Sequence, residues 1–111
     1  MIVWFNGNGF REVDKHCQIG DLAFLAEAGY AVCFVQFRNS AQGKLPAQLI
    51  DAKTAIRFLR AHAAQYSIDP NRIAVAGRSA GGMIVSMLGL NDDRFLSEEW
   101  AGYSSSVQAV W

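Results

Sequence analysis

The chain has 111 residues, ten lysines and arginines against ten aspartates and glutamates, and 51% apolar residues, which suits one globular domain and excludes a disordered chain. Zero formal net charge, with basic residues scattered from Arg11 to Arg94, offers no electrostatic footprint for nucleic acid. No apolar run approaches the roughly 20 residues that cross a bilayer, and no basic stretch leads into a long apolar segment near Met1. The expectation is therefore no membrane partner, no leader in this chain and, by default, a cytoplasmic setting.

In chain order, Met1–Phe5 is an apolar, β-prone run ended by the turn chemistry of Asn6-Gly7-Asn8-Gly9. Gln18–Ala28 carries Ile19, Leu22, Leu25 and Ala26 at near-helical spacing and stops at Gly29. Tyr30–Phe37 is apolar at every position but Gln36, a pattern that predicts a strand in the middle of a covered sheet. After the loop from Arg38 to Leu45, Pro46 opens a long helix in which Leu49, Ala52, Ile56, Leu59 and Ala63 recur at steps of three and four. Asp51, Lys53, Arg57 and Arg60 fall mostly elsewhere around that wheel, and the helix must end before Asp69-Pro70.

Arg72–Gly77 reads as a third strand and Ala80–Leu90 as an apolar helix. Arg94–Ser106 reads as a loop or short surface helix, and Val107–Trp111 as a strand. Strand and helix alternate as in a parallel α/β sheet of about four strands with flanking helices and right-handed crossovers. Cys17 and Cys33 have no C-x-x-C spacing and read as free thiols, Cys33 in the core.

The sharpest chemical signal is Gly77-Arg78-Ser79-Ala80-Gly81, a Gly-x-Ser-x-Gly where a strand hands over to a helix. By pattern alone it has two readings: a serine capping a helix in a glycine-rich turn, or a nucleophile lifted above the strand ends beside the positive end of a helix. The glycine-rich Asn6–Phe10 loop at the end of the first strand favours the second, because such a loop can aim backbone N–H groups at an oxyanion. Two competing glycine readings fail. A dinucleotide fingerprint starting at Gly7 meets Glu12 where it needs glycine, and a phosphate loop starting at Gly77 meets Met83 where it needs lysine.

With these residues in view the chain resembles the α/β-hydrolases, in the hormone-sensitive-lipase-like and carbohydrate-esterase-like branch that includes acetyl xylan and feruloyl esterases. The resemblance covers nearly the whole chain. It runs through the glycine loop, Gly29-Tyr30-Ala31-Val32, Pro46-Ala47-Gln48 leading into Asp51, Ile68–Ile73 and Gly77–Gly82. It implies an incomplete α/β-hydrolase domain over residues 1–111, with strands in the spatial order second, first, third, fourth and both edges open to self-association. It further implies Ser79 as nucleophile, the backbone N–H groups of Asn8, Gly9 and Ala80 as oxyanion hole, Gly7, Gly77 and Gly81 as the structural glycines, a small ester as substrate, and no metal or cofactor.

Three departures accompany the resemblance. Asn6 stands where relatives carry histidine, Asn8 stands where they carry glycine, and Arg78 occupies a position that is commonly acidic. Asparagine tolerates positive φ, so the loop is expected to survive, and Arg78 reads as a member of a surface ion pair. The family's acid and histidine follow the serine along the chain, yet only 32 residues follow Ser79 and none is histidine. His62 reads as a solvated side chain on the long helix, and His16 lies after the glycine loop. Two functions follow: the serine-bearing portion of an ester hydrolase, weak or inactive as given, or a non-catalytic oligomeric α/β module with a relic elbow.

Overall fold

A computed structural model describes residues 1–12 and 14–111. Strands β1 (Ile2–Phe5), β2 (Val32–Val35), β3 (Ala74–Gly77) and β4 (Ala109–Val110) form one parallel sheet in the order β2-β1-β3-β4. Helices α1 (Ala23–Glu27), α2 (Ala47–Ala61) and α3 (Ala80–Leu88) supply the crossovers. The alternation of β1 divides the core into two. Val3 and Phe5 join Leu49, Ile56, Val75, Ile84 and Leu88 under α2 and α3, while Trp4 turns to Leu22, Leu25 and Ala76 on the α1 side. Ile56 and Ile84 are wholly buried, each stabilising the fold by roughly 1.5–3 kcal/mol relative to exposure.

Four sequence expectations change. The helix read over Gln18–Ala28 contracts to a 3₁₀ turn at Gly20–Leu22 followed by the five residues of α1. Its two buried leucines anchor only that short stretch. The strand read over Tyr30–Phe37 forms ladder contacts only at Val32–Val35, and these lie at an edge of the sheet, all four residues half-buried. Being apolar on both sides reflects contact with both layers here, not a central position. Cys17 and Cys33 are both free, and Cys33 is half-buried, so that desolvation pushes its thiol pKa up.

The fourth change concerns α2. Lys53 and Arg57 are almost fully buried, not solvated. Lys53 Nζ reaches Asp92 Oδ1 at 2.8 Å and the carbonyls of Asp92 and Arg94 at 2.7 and 2.6 Å. Arg57 donates to the carbonyls of Trp100 and Ser97, and Arg60 to those of Pro70, Ser104 and Ser106. Three cations on one helix thus satisfy the backbone of the irregular 92–106 segment, which forms no helix. Among the described residues no helix is long and apolar enough to cross a membrane.

Register positions the functional end. Phe5 is level with both Val35 and Gly77, so β1, β2 and β3 finish in one row and the loops that follow them share one rim of the sheet.

Candidate active site

At that rim the chain leaves β3 at Gly77 and enters α3 at Ala80, turning within Arg78 and Ser79. Ser79 has φ 56° and ψ −119°, a conformation suited to glycine that costs a serine on the order of 1–3 kcal/mol. The packing around it holds the bend in place. A Cβ on Gly77 would lie 2.7 Å from the Gly81 backbone, and one on Gly81 would overlap the Phe5 carbonyl. Strand and helix therefore approach more closely than any side chain allows. Gly81 N–H donates to Arg78 O at 2.9 Å and Met83 N–H to Ser79 O at 3.0 Å, closing the first turn of α3.

Ser79 stands at the N-cap position, but its side chain caps nothing. It is solvent-exposed, and among the described residues its hydroxyl has no hydrogen-bond partner. Of the two readings of the pentapeptide, the capping serine is thereby set aside.

The glycine loop meets the elbow directly. A Cβ on Gly7 would sit 2.7 Å from Ser79 Cβ and 2.9 Å from Ala80 N, and it would overlap Arg78 O. Arg78 N–H in turn donates to Phe5 O at 3.3 Å. Beyond Gly7, Asn8 and Gly9 are exposed, and the turn is tied by Arg11 N–H to Asn8 O at 2.9 Å and Asn8 Nδ2 to Glu12 O at 2.8 Å. The positive φ values fall on Gly9 (56°) and Phe10 (59°) rather than on Asn8, so the asparagine is not needed for its tolerance of that region. Among the described residues the N–H groups of Asn8, Gly9 and Ala80 donate to no protein acceptor. Of the three, Ala80 is the first residue of α3, and Gly7, next to Asn8 in the chain, is the loop residue that touches it.

Behind the loop lies a network that the pattern of residues did not reveal. Asn6 is 3% exposed; its Oδ1 accepts from the Trp4 indole, which also donates to Gln18 Oε1 at 3.1 Å. Asn6 Nδ2 donates to Asp14 O and Cys17 Sγ, both at 3.4 Å. The only sequence signal was the replacement of a histidine.

His16 is exposed and paired with Asp14 at 2.9 Å. His62 is not solvated: Nδ1 contacts Phe58 O at 2.8 Å, and the ring stacks on Phe58 at 4.1 Å and meets Trp100 edge-on at 4.8 Å. Arg78 is exposed, and among the described residues no carboxylate pairs with it, which removes the expected ion pair. Among the described residues no three His, Cys, Asp or Glu side chains gather as a metal site would require. A hollow of about 430 Å³ beside the end of β2 is lined by Lys15, Gln36, Phe37, Arg38, Gln42 and Asp51. The larger one, about 690 Å³, lies at the opposite, amino ends of the strands.

Comparison with known proteins converges on one group. The family model described as BD-FAE matches residues 1–110. The probable carboxylic ester hydrolase LipM of Mycobacterium tuberculosis is 38% identical over 76 residues, covering 67% of this chain and 18% of its own length. Esterase LipC of the same organism is 37% identical over 91 residues, 80% of this chain and 23% of its own. The butyrate-bound structure of a thermophilic esterase from Thermogutta terrifontis superposes with a TM-score of 0.89 at 30% identity, over 98% of this chain and 40% of that one. The chain thus spans less than a quarter of these curated relatives. Its four-strand parallel sheet corresponds to part of an α/β-hydrolase fold.

Proposed function

The chain belongs to the BD-FAE family, and from that premise we propose that residues 1–111 are a partial α/β-hydrolase domain carrying the nucleophile and oxyanion hole of a carboxylic ester hydrolase. The observation that carries the proposal is the contact of the two turns: an exposed, strained Ser79 against which Gly7 packs without room for a side chain. In this reading Ser79 Oγ attacks the ester carbonyl carbon and gives up its proton. The charge developing on the carbonyl oxygen is held by the N–H groups of Asn8, Gly9 and Ala80, and collapse expels the alcohol and leaves an acyl-serine for water to hydrolyse. One such donor is typically worth a factor of about 10² to 10³.

The proton acceptor is the weak point. Among the described residues no histidine nitrogen hydrogen-bonds to Ser79 Oγ, His62 is packed among aromatic rings, and a serine without a neighbouring base is a poor nucleophile at neutral pH. The proposal is therefore that this chain by itself turns over a small ester slowly, on the residual catalysis of roughly 10³ to 10⁴ over water that a hole and binding alone sustain. The test is hydrolysis of a short acyl nitrophenyl ester by purified chain. Slow turnover abolished by Ser79→Ala supports the reading, and turnover indifferent to that substitution overturns it.

A second reading, a non-catalytic α/β module that associates with its own kind, draws on the outer edges of β2 and β4, which have no strand partner among the described residues. It predicts association with no Ser79-dependent hydrolysis at all.

A further inference from the structure

We infer that Asn6 is a positioning residue whose carboxamide sets the path of the Gly7–Phe10 loop over Ser79 and so the aim of the Asn8 and Gly9 N–H groups. The functional half of this inference rests on the oxyanion reading above; the structural half does not. Asn6 directly follows Phe5, the last residue of β1, so its backbone fixes where the loop begins. Its side chain reaches the segment that follows the loop, where Nδ2 donates to Asp14 O and Cys17 Sγ. Oδ1 is meanwhile gripped by the indole of Trp4, itself buried beneath the α1 layer and steadied by Gln18.

One buried side chain thus joins the segment after the loop to Trp4 on β1, from which the loop departs. From the opposite side Gly81 lies against the Phe5 and Asn6 carbonyls and Gly7 against Arg78. The loop is clamped between the carboxamide network and the elbow. The group must accept on one side and donate on the other, a requirement that asparagine meets and aspartate does not. Aspartate would keep the acceptor for Trp4 but present oxygen to the Asp14 carbonyl and the Cys17 sulfur, losing both donors without changing shape. A neutral imidazole, one nitrogen accepting and one donating, meets the requirement again.

The experiment compares the 111-residue chain with Asn6→Asp, Asn6→His and Ser79→Ala, using ¹⁵N relaxation and hydrolysis of a short acyl nitrophenyl ester. In Asn6→Asp the order parameters of Gly7–Phe10 are expected to fall from the rigid value near 0.85 to below about 0.6, with β1 and α3 unchanged. Ser79-dependent kcat should fall by up to about 100-fold with KM nearly constant, and Asn6→His should restore both. Loop order parameters unchanged in Asn6→Asp, or β1 and α3 loosening together with the loop, would overturn the inference. Hydrolysis indifferent to Ser79→Ala would defeat the esterase reading alone, since the relaxation data decide the role of Asn6 independently.

Discussion

At Ser79 a residue with a Cβ occupies a backbone conformation that disfavours one, and three glycines without Cβ atoms make that possible. The strain is local and the compensation is steric, since Gly7, Gly77 and Gly81 let the loop, strand and helix backbones meet. These glycines are therefore unequal to others nearby. Gly81→Ala is expected to cost at least about 2 kcal/mol, because the new methyl meets the Phe5 carbonyl rather than a movable side chain. Gly82→Ala, whose Cβ would have its nearest contact at 3.4 Å, should stay within about 1 kcal/mol of the parent. Urea midpoints of the two variants check this; equal midpoints would mean that the elbow relaxes. The pentapeptide and the glycine loop were legible in the sequence because each is a local pattern with a steric cause. The Asn6 network was not, because its partners come from residues 4, 14, 17 and 18 and obey no spacing rule.

On the scale of elements, α2 shows where periodicity reads correctly and where it misleads. Leu49, Ala52, Ile56 and Leu59 lie in the core as their spacing predicts. Lys53 and Arg57 are just as buried, because backbone carbonyls and the Asp92 carboxylate, 39 to 43 residues away, accept their hydrogen bonds. A helical wheel counts charge as solvent-facing and has no knowledge of such acceptors. Lys53→Met should lower the thermal midpoint by roughly 5–10 °C, leaving the carbonyls of Asp92 and Arg94 without the ammonium and the Asp92 carboxylate with Arg94 as its remaining cation. The ammonium of Lys53, then the guanidinium of Arg94, hold the Asp92 carboxyl well below the usual carboxylate range. A lowered folded pKa contributes stability that is complete above the unfolded value near 3.9 and disappears as pH falls through the folded one. Thermal melts from pH 6 to pH 2 should therefore decline more steeply below pH 4 in the parent than in Asp92→Asn. Parallel curves would show that this ion pair contributes nothing.

At the scale of the molecule, no described strand pairs with the outer edge of β2 or of β4, and Val110 and Trp111 are exposed beside the latter. Purified chain at tens of micromolar should sediment as a dimer or larger species, and a strictly monomeric profile would count against pairing through these edges. Strand order was legible only through family resemblance, since apolarity on both faces suggested a central β2. Position within a sheet depends on which partners arrive, which no single strand encodes.

The register Ile2↔Ala74 has a consequence for synthesis. Strand β1 is translated before both of its neighbours yet lies between them, so its second ladder must wait for β3. At about 5–20 residues per second, the stretch between these partners occupies a ribosome for roughly 4–14 s. Throughout that interval Val3, Trp4 and Phe5 have at most one strand beside them, so the apolar centre of the sheet stays half-built until the segment that carries the serine turn is being made.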